Sequence, residues 1–464
     1  DIASAQAGLA EAYDAGIRSA AIAFMHSYRA PEHECQVAEI ARQIGFTQIS
    51  VSHEVSPLIK FVGRGDTTVV DAYLSPILRR YVTQIAAKLG DTKLMFMQSN
   101  GGLTNAGLFQ GKDAILSGPA GGVVGAVQTT ARAGFTRIIG FDMGGTSTDV
   151  SHYNGEFERT YDTLVAGVRV RAPMMRIHTV AAGGGAVLHF DGARCRVGPE
   201  SAGAKPGPAC YRRGGPLTIT DCNLVLGKLQ PEHFPNVFGP NANQPLDTDI
   251  VHKKFDSLVR QINQATGDSR DLVEIAEGLL KIAVENMANA IKEISIQRGY
   301  DASEYTLCSF GGAGGQHACM VADALGITRI FVHPLAGVLS AYGMGLAHLT
   351  AMRERSIEAK LSFKTIAQMD AVLADLVTDG VAELRNQGVA DNHIEVHRHA
   401  HVRYEGTDAA LIVHYGDLAT VIANFEEAHR RQYGFIVSET NPVSYTHLRA
   451  HETRHDLVCR LLLE

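Results

Sequence analysis

Apolar and polar positions along the chain follow two periods. Residues 3–15, 31–44 and 70–89 carry apolar side chains at helical spacing, and Gly16 follows the first of these as a stop signal. Short apolar runs at 19–25 (SAAIAFM), 50–55 and 94–97 read as strands between them, the last breaking into QSNGG at 98–102. At the centre, RIIGF (137–141) is an apolar strand ending in DMGGTSTD (142–149), and VSHY and EFERT flank Asn154-Gly155 as the two sides of a hairpin. Residues 183–245 are rich in Pro and Gly and read as an irregular insertion held by turns. Leu272, Ile275, Leu279, Ile282, Met287, Ile291 and Ile294 then recur at helical spacing, predicting a long helix that ends near Gly299. Residues 306–310 are a strand running into GGAGGQHA (311–318), and 330–332 is the next strand, closed by Pro334. A smaller α/β segment follows, with a strand at 410–415. Such alternation predicts a layered α/β architecture.

The chain has 464 residues, of which 45% are hydrophobic and 20% charged. This mixture can bury a large core and excludes global disorder, collagen-like repeats and low-complexity classes. Pattern shifts divide it into residues 1–130, 131–352, 353–443 and 444–464. Lys plus Arg number 42 against 49 acids, giving a net charge of −7; without a basic footprint, no nucleic-acid partner is expected. Seven Cys form no CxxC pair, which points to reduced thiols and a cytoplasmic protein. No Cys has a neighbouring His or acid arrangement that would mark a nucleophile. The uncharged stretch 335–352 holds three Gly with Ser, His and Thr, so a buried helix is expected and no membrane partner. The last 21 residues, 444–464, do not continue the preceding pattern and resemble a non-native tail. His451 and His455 complete an HExxH string there, and that setting argues against a zinc protease.

The 47 Gly are the unusual feature, because they cluster in short loops that let backbone approach a ligand. In the 142–149 string a strand delivers Asp142, and Gly144-Gly145 clears space for an anion. Thr146, Ser147 and Thr148 add hydroxyl and amide donors, and Asp149 closes the loop. Two acids beside a phosphate suit hydrated magnesium; the alternative is a tight hairpin with capping hydroxyls. No GK[ST] follows, and a hairpin succeeds the loop, so it is neither a Walker A loop nor a dinucleotide fingerprint. Gly311, Gly312, Gly314 and Gly315 open a helix after a buried strand, which suits an adenosine or phosphate group held against backbone. His317 in that turn reads as structural. The strings SGPAGG (117–122) and AAGGG (181–185, with Gly183 and Gly184) either line the same cleft or serve close packing. Thr220-Asp221-Cys222-Asn223 either orients a substrate group or caps the following helix, and Arg169 and Arg171 either pair with a carboxylate or lie on an exposed strand face.

LMFMQSNGGL (94–103), LSGPAGGVVGA (116–126), GFDMGGTSTDVS (140–151), HTVAAGGG (178–185), VGPESAGAKPGPACYRRGGPLTITD (197–221) and SFGGAGGQHA (309–318) resemble the hydantoinase A/oxoprolinase family. FPNVFGPNANQPL (234–246), RYEGTDAAL (403–411) and FEEAHRRQYGF (425–435) resemble its 5-oxoproline-opening branch. The resemblance implies a two-domain fold of the actin, hexokinase and Hsp70 type (ASKHA), here incomplete at its N-terminus, with ATP enclosed in a cleft. It further implies that 142–149 is the second phosphate loop and 311–315 the adenosine loop. The implied reaction is ATP-dependent opening of 5-oxo-L-proline to L-glutamate through phosphorylation of the lactam oxygen, with Mg²⁺ and K⁺. Asp142 and Asp149 would then be the catalytic and metal-orienting acids. Hydantoinase or ketone-carboxylase chemistry is the alternative within the family, and a nucleotide-gated binding module the alternative outside it. Members carry an earlier DxGGT-type loop and a hydantoinase B-type region or subunit. Neither is found in this sequence, so an internal fragment inactive by itself is expected; the family also suggests a homodimer.

Overall fold

A computed structural model describes residues 1–407 and 410–437, together with the backbone of two strands, Pro442–His447 and Arg449–Thr453. It divides into two compact units, one of residues 1–121, 159–175 and 344–464, the other of 122–158 and 176–343. The periodicity of the sequence places its divisions after 130, 352 and 443.

The first unit opens with helix α1 (Ile2–Asp14), started by the Asp1 carboxylate, which accepts from the Ala3 and Ser4 amides. Strand β1 (Ser19–Ile22), helix α2 (Glu32–Ile44) and strand β2 (Gln48–Val51) follow, and the two strands pair in parallel. The strand expected over 50–55 stops at Val51, because Ser52–Val55 turns helical and places Ser52 against the buried Glu34 carboxylate. Helix α3 (Phe61–Leu89) starts nine residues earlier than the 70–89 pattern. Its N-terminal part is polar yet buried, with Arg64, Thr67, Thr68 and Asp71 all enclosed, so hydrophobic periodicity could not mark it.

Helix α4 (Ser117–Arg132) leads into the second unit. That unit is built on a five-stranded sheet of β3 (Arg137–Met143), β4 (Thr148–Asn154), β5 (Ile177–Val180), β6 (Thr306–Phe310) and β7 (Arg329–Phe331), in the spatial order β5-β4-β3-β6-β7. β3 pairs antiparallel with β4 and parallel with β6, so β3 and β6 end on the same side of the sheet. Both of those ends open into a glycine turn. The 183–245 stretch is more ordered than composition suggests. Ala186–Phe190 and Cys195–Ser201 pair antiparallel, and helix α5 (Ile219–Val225) starts from a Thr218/Asp221 capping box. Thr220–Asn223 therefore lies inside that helix instead of capping a later one.

Helix α6 (Leu272–Ile294) begins at a second capping box, Asp271/Glu274, and buries Ile275, Leu279, Leu280, Met287 and Ile291 in the unit's main core with Phe141, Phe255 and Leu307. The helix ends at Ile294, and Gly299 (φ 82°) closes the short turn beyond it. Helix α7 (Ala318–Leu325) follows the second glycine turn. Of the stretch 335–352, only Leu339–Leu346 is α-helical, and no helix among the described residues is long and apolar enough to cross a membrane.

The C-terminal part of the first unit has its own core. Strands β8 (Ser356–Lys360), β9 (Ile394–Tyr404) and β10 (Leu411–His414) and helices α8 (Phe363–Asn386) and α9 (Leu418–Tyr433) enclose Met369, Leu373, Val402, Val413 and Phe425. The backbone of Pro442–His447 pairs with β8 and β9, and that of Arg449–Thr453 with β9. The His451–His455 side chains lie outside the described residues.

Leu279, 2% exposed, packs at the centre of α6. Leu279→Ala is expected to lower the stability of the second unit by about 3 kcal/mol, a transfer loss plus a cavity, measured as a fall in the urea midpoint with unchanged slope.

Candidate functional site

The site grows from the ends of β3 and β6. Sheet register sets Thr179, Asp149, Asp142 and Phe310 side by side in one row across four strands. Asp142 is the penultimate residue of β3 and Asp149 the second of β4, so the two carboxylates face one another across the mouth of the turn 144–147.

That turn is held by its carbonyls. The Gly144 N–H donates to Ser147 O (3.0 Å), Gly184 N–H to Gly144 O (3.1 Å) and Gly185 N–H to Gly145 O (2.6 Å). The Thr148 hydroxyl, buried, donates to Ala182 O (2.7 Å), pinning the same loop from below. With the carbonyls drawn back, the N–H groups of Gly145, Thr146 and Ser147 have no acceptor among the described residues. Three adjacent unpaired amides on an accessible turn are an anion-binding concavity. Gly183 is needed for this packing: a methyl group there would stand 2.5 Å from Thr146 C and 2.6 Å from Ser147 N. Gly183 and Gly184 thus lie behind the turn, with the Thr220 amide and hydroxyl both donating to Gly184 O.

The second turn meets the first at Asp142. Gly311 takes φ 83°, and a Cβ there would be 2.4 Å from Asp142 Oδ1 and 2.5 Å from Met143 O, so glycine is required on both counts. Ala313 N–H donates to Met143 O (2.9 Å) and Gly311 N–H to Ala336 O (3.0 Å). Gly312 and Gly315 are exposed with open space around them, while Gly314 is buried over Ser309. The 117–122 string forms the start of α4, and Gly122 passes close to Asp142: a Cβ would stand 3.4 Å from Oδ2.

Electrostatics sets the pair apart. Desolvation, with the like charge of Asp149, pushes the Asp142 carboxyl up to about 6, against a small opposing effect of Ser340, whose hydroxyl lies 3.4 Å from Oδ2. Burial also raises Asp149, opposed by the Thr179 hydroxyl donating to Oδ1 at 2.6 Å. A divalent cation fits this donor set: two half-buried carboxylates, each with an oxygen not fully engaged, beside free amides. Ser340 and Thr179 escaped the sequence reading. Thr179 carried a usable signal, since it sits just ahead of the 181–185 glycines on a strand that must pair beside β4; Ser340, in an apolar stretch, carried none.

His317 is buried and burial holds it down to about 4, so its ring is neutral. Its Nε2 lies 3.1 Å from Asn223 Nδ2, and Asn223 in turn donates to Gln316 Oε1 (2.7 Å), which fits a structural role. Asp221 is fully buried and accepts from the Ala209, Cys210 and Thr218 amides, so it organises backbone and does not reach the turn. In the other unit, Arg171 is buried and pairs with Asp162 (3.0 Å), while Arg169 is exposed.

Residues 64–353 match the family model described as hydantoinase/oxoprolinase, and residues 1–45 match its N-terminal region. The chain is 44% identical over 443 residues to the 5-oxoprolinase of Saccharomyces cerevisiae and 41% identical over 443 residues to that of Dictyostelium discoideum. These matches cover 94% and 91% of this chain but 34% and 35% of those proteins, so the chain spans about a third of the curated relatives' length. Among solved structures, the ATP-dependent caprolactamase of Pseudomonas jessenii superposes with a TM-score of 0.88 at 28% identity, over 98% of this chain and 67% of that one. Acetone carboxylase in its nucleotide-free form shares the fold, with a TM-score of 0.66 at 23% identity over 97% of this chain and 66% of that one. The α/β fold of actin, hexokinase and Hsp70 type expected from the motifs is therefore the fold of this chain. Both glycine turns and both acids fall within the matched span, and the chain belongs to the hydantoinase/oxoprolinase family.

Proposed function

We propose that this chain is the nucleotide-binding part of an ATP-dependent cyclic amide hydrolase whose substrate is 5-oxo-L-proline. The observation that carries the reading is the turn 144–147, with three unpaired amides flanked by Asp142 and Asp149. The amides of Gly145, Thr146 and Ser147 would receive phosphate oxygens. Asp142 and Asp149 would hold a magnesium ion through water, and the exposed Gly312 and Gly315 would lie against the nucleoside. Bound magnesium supplies charge neutralisation at the phosphates. A lactam is resonance-stabilised, and converting its oxygen to a phosphate ester makes the ring carbon electrophilic. The protein's share of that work is orientation and a fixed array of donors. Identity of 40–44% to 5-oxoprolinases, against 31% to a caprolactamase alpha subunit, favours the five-membered lactam.

Four outcomes test the reading. Asp142 must be ionised to hold a cation, and its carboxyl titrates near 6 in the free protein. Magnesium–nucleotide affinity, measured by calorimetry, is therefore expected to fall about tenfold between pH 7 and pH 5. Asp142→Asn should bind weakly and retain only the nucleotide's own pH dependence; an unchanged profile in this variant overturns the assignment. Stability runs the other way. The folded carboxyl holds its proton above the ordinary value of 3.8, so its ionisation costs stability as pH rises from 4 through 6. Asp142→Asn should therefore be more stable than the parent at pH 8, by about 3 kcal/mol, and equally stable at pH 4.

Gly183→Ala should displace the turn and weaken nucleotide binding by at least about tenfold, because a Cβ contact under 3 Å to backbone forces movement, with far-UV circular dichroism unchanged. Finally, the chain by itself should turn over little 5-oxoproline. Joined to the remainder of its relatives' length, including the B-type region, it should form glutamate and ADP in equal amounts. Hydantoin, caprolactam, and acetone with bicarbonate serve as competing substrates. Turnover by the isolated chain at a full-length rate, or glutamate-independent ATP consumption, would sink the proposal.

A further inference from the structure

The first unit contains a second reactive arrangement, in which the fold brings His53 to the adjacent pair Glu34-Cys35, contrary to the expectation that no Cys has such partners. Cys35 lies in the opening turns of α2 and is exposed. Its Sγ stands 3.8 Å from Nε2 of His53, which sits in the single helical turn after β2. The other ring nitrogen, Nδ1, lies 2.6 Å from Oε2 of Glu34, a carboxylate with no exposure to solvent. Glu34 is itself fixed. Its oxygens accept from the Phe24 N–H (2.8 Å), the His53 N–H (3.0 Å) and the Ser52 hydroxyl (2.5 Å). The fully buried Arg64 secures this frame, donating from Nε to Ser52 Oγ (2.9 Å) and from its terminal nitrogens to the carbonyls of Leu58 and Met25, each at 2.9 Å. Burial pushes the Glu34 carboxyl up, but hydrogen bonds from Ser52, His53 and Ser27 outweigh it and hold it below its ordinary value. An ionised Glu34 places the proton on Nδ1 and leaves the Nε2 lone pair aimed at the thiol. Glu54 Oε1, from the solvent side, is 3.8 Å from the same Nε2 and would steady the ring once it gains a proton.

We propose that Cys35 is a nucleophilic thiol, activated by His53 and oriented through Glu34, that undergoes exchange with small soluble disulfides. The balance is simple. The Cys35 S–H proton passes to His53 Nε2, a bond forms from Cys35 Sγ to one sulfur of the disulfide, and the disulfide bond breaks. The departing thiolate takes the proton from His53. One disulfide is consumed and one mixed disulfide is formed, with no other oxidant. An exposed thiol beside a proton acceptor suffices for this reaction. The remaining described cysteines provide a built-in comparison. Cys319 is exposed, and burial pushes up the thiols of Cys195, Cys210, Cys222 and Cys308.

The test is the rate of mixed-disulfide formation with 5,5′-dithiobis(2-nitrobenzoate) at pH 7 on the folded chain. Cys459, outside the described residues, is replaced by Ser throughout. One fast thiol is expected, located at Cys35 by peptide mass spectrometry, absent in Cys35→Ser and unaffected in Cys319→Ser. His53→Gln should slow it at least about tenfold, a threshold set below the roughly hundredfold lower range for loss of a positioned base. Circular dichroism and the melting temperature show that the variant is folded. Persistence of the fast phase in Cys35→Ser, or an unchanged rate in folded His53→Gln, overturns the proposal. If His53→Gln does not fold, Glu34→Gln decides instead: it keeps an acceptor but removes the charge that fixes the ring. The fast phase should slow there too, and an unchanged rate is equally fatal. None of this depends on nucleotide or lactam binding.

Discussion

Two backbone hydrogen bonds, from Gly184 N–H to Gly144 O and from Gly185 N–H to Gly145 O, decide which way the 144–147 turn faces. A four-residue connection between antiparallel strands has no intrinsic preference for presenting amides over carbonyls. Tying the carbonyls to a neighbouring loop removes the choice and leaves the N–H groups turned outward. The tie works only at backbone contact distance, which is why the residue ahead of it, Gly183, cannot carry a Cβ. The same loop is anchored to α5 through Thr220, and α5 is anchored by the buried capping carboxylate of Asp221. The orientation of three exposed amides is therefore transmitted from the core by a chain of obligatory backbone pairings, each of which would leave a buried polar group unmet if broken.

Against this rigid frame the two acids sit at an energetic disadvantage. Partial burial raises both carboxyls and the charge of Asp149 raises Asp142 further, so ionising the pair costs stability at neutral pH, and the row of sheet residues that aligns them keeps them from separating. A cation between them would reverse the sign of that interaction. Strain of this kind, imposed by a sheet register and relieved by a ligand, is characteristic of sites where stability is given up for function.

Much of the fold and part of the site were legible in the sequence. The strands read at 137–141 and 306–310 and the helix read from 272 follow from short apolar runs and helical spacing, because a single packed face dictates each. The 142–149 and 311–315 turns were visible through their glycines, and sheet order brings them together at Asp142. Other features lay beyond local pattern. The first turns of α3 are buried but polar, which defeats any hydrophobic period. Glycine marked 183–185 as important without revealing that it sits behind the turn. Cys35 and His53 are 18 positions apart and share no motif, so only the pairing of β1 with β2 brings their elements together.

The composition of the two glycine turns also constrains where substrate choice could reside. The 144–147 and 311–315 turns and their flanking acids offer backbone amides, small hydroxyls and carboxylates, none of which distinguishes a five-membered lactam from a larger ring or a ketone. That is consistent with one fold appearing in an ATP-dependent caprolactamase and in an acetone carboxylase. Backbone donors discriminate poorly between acceptors of similar charge, whereas a site that must hydrogen-bond a particular ring edge rejects its analogues strongly. On the proposed function, selectivity for 5-oxoproline would have to come from side chains outside these two turns, and a substitution that alters substrate preference while sparing nucleotide affinity should map away from them.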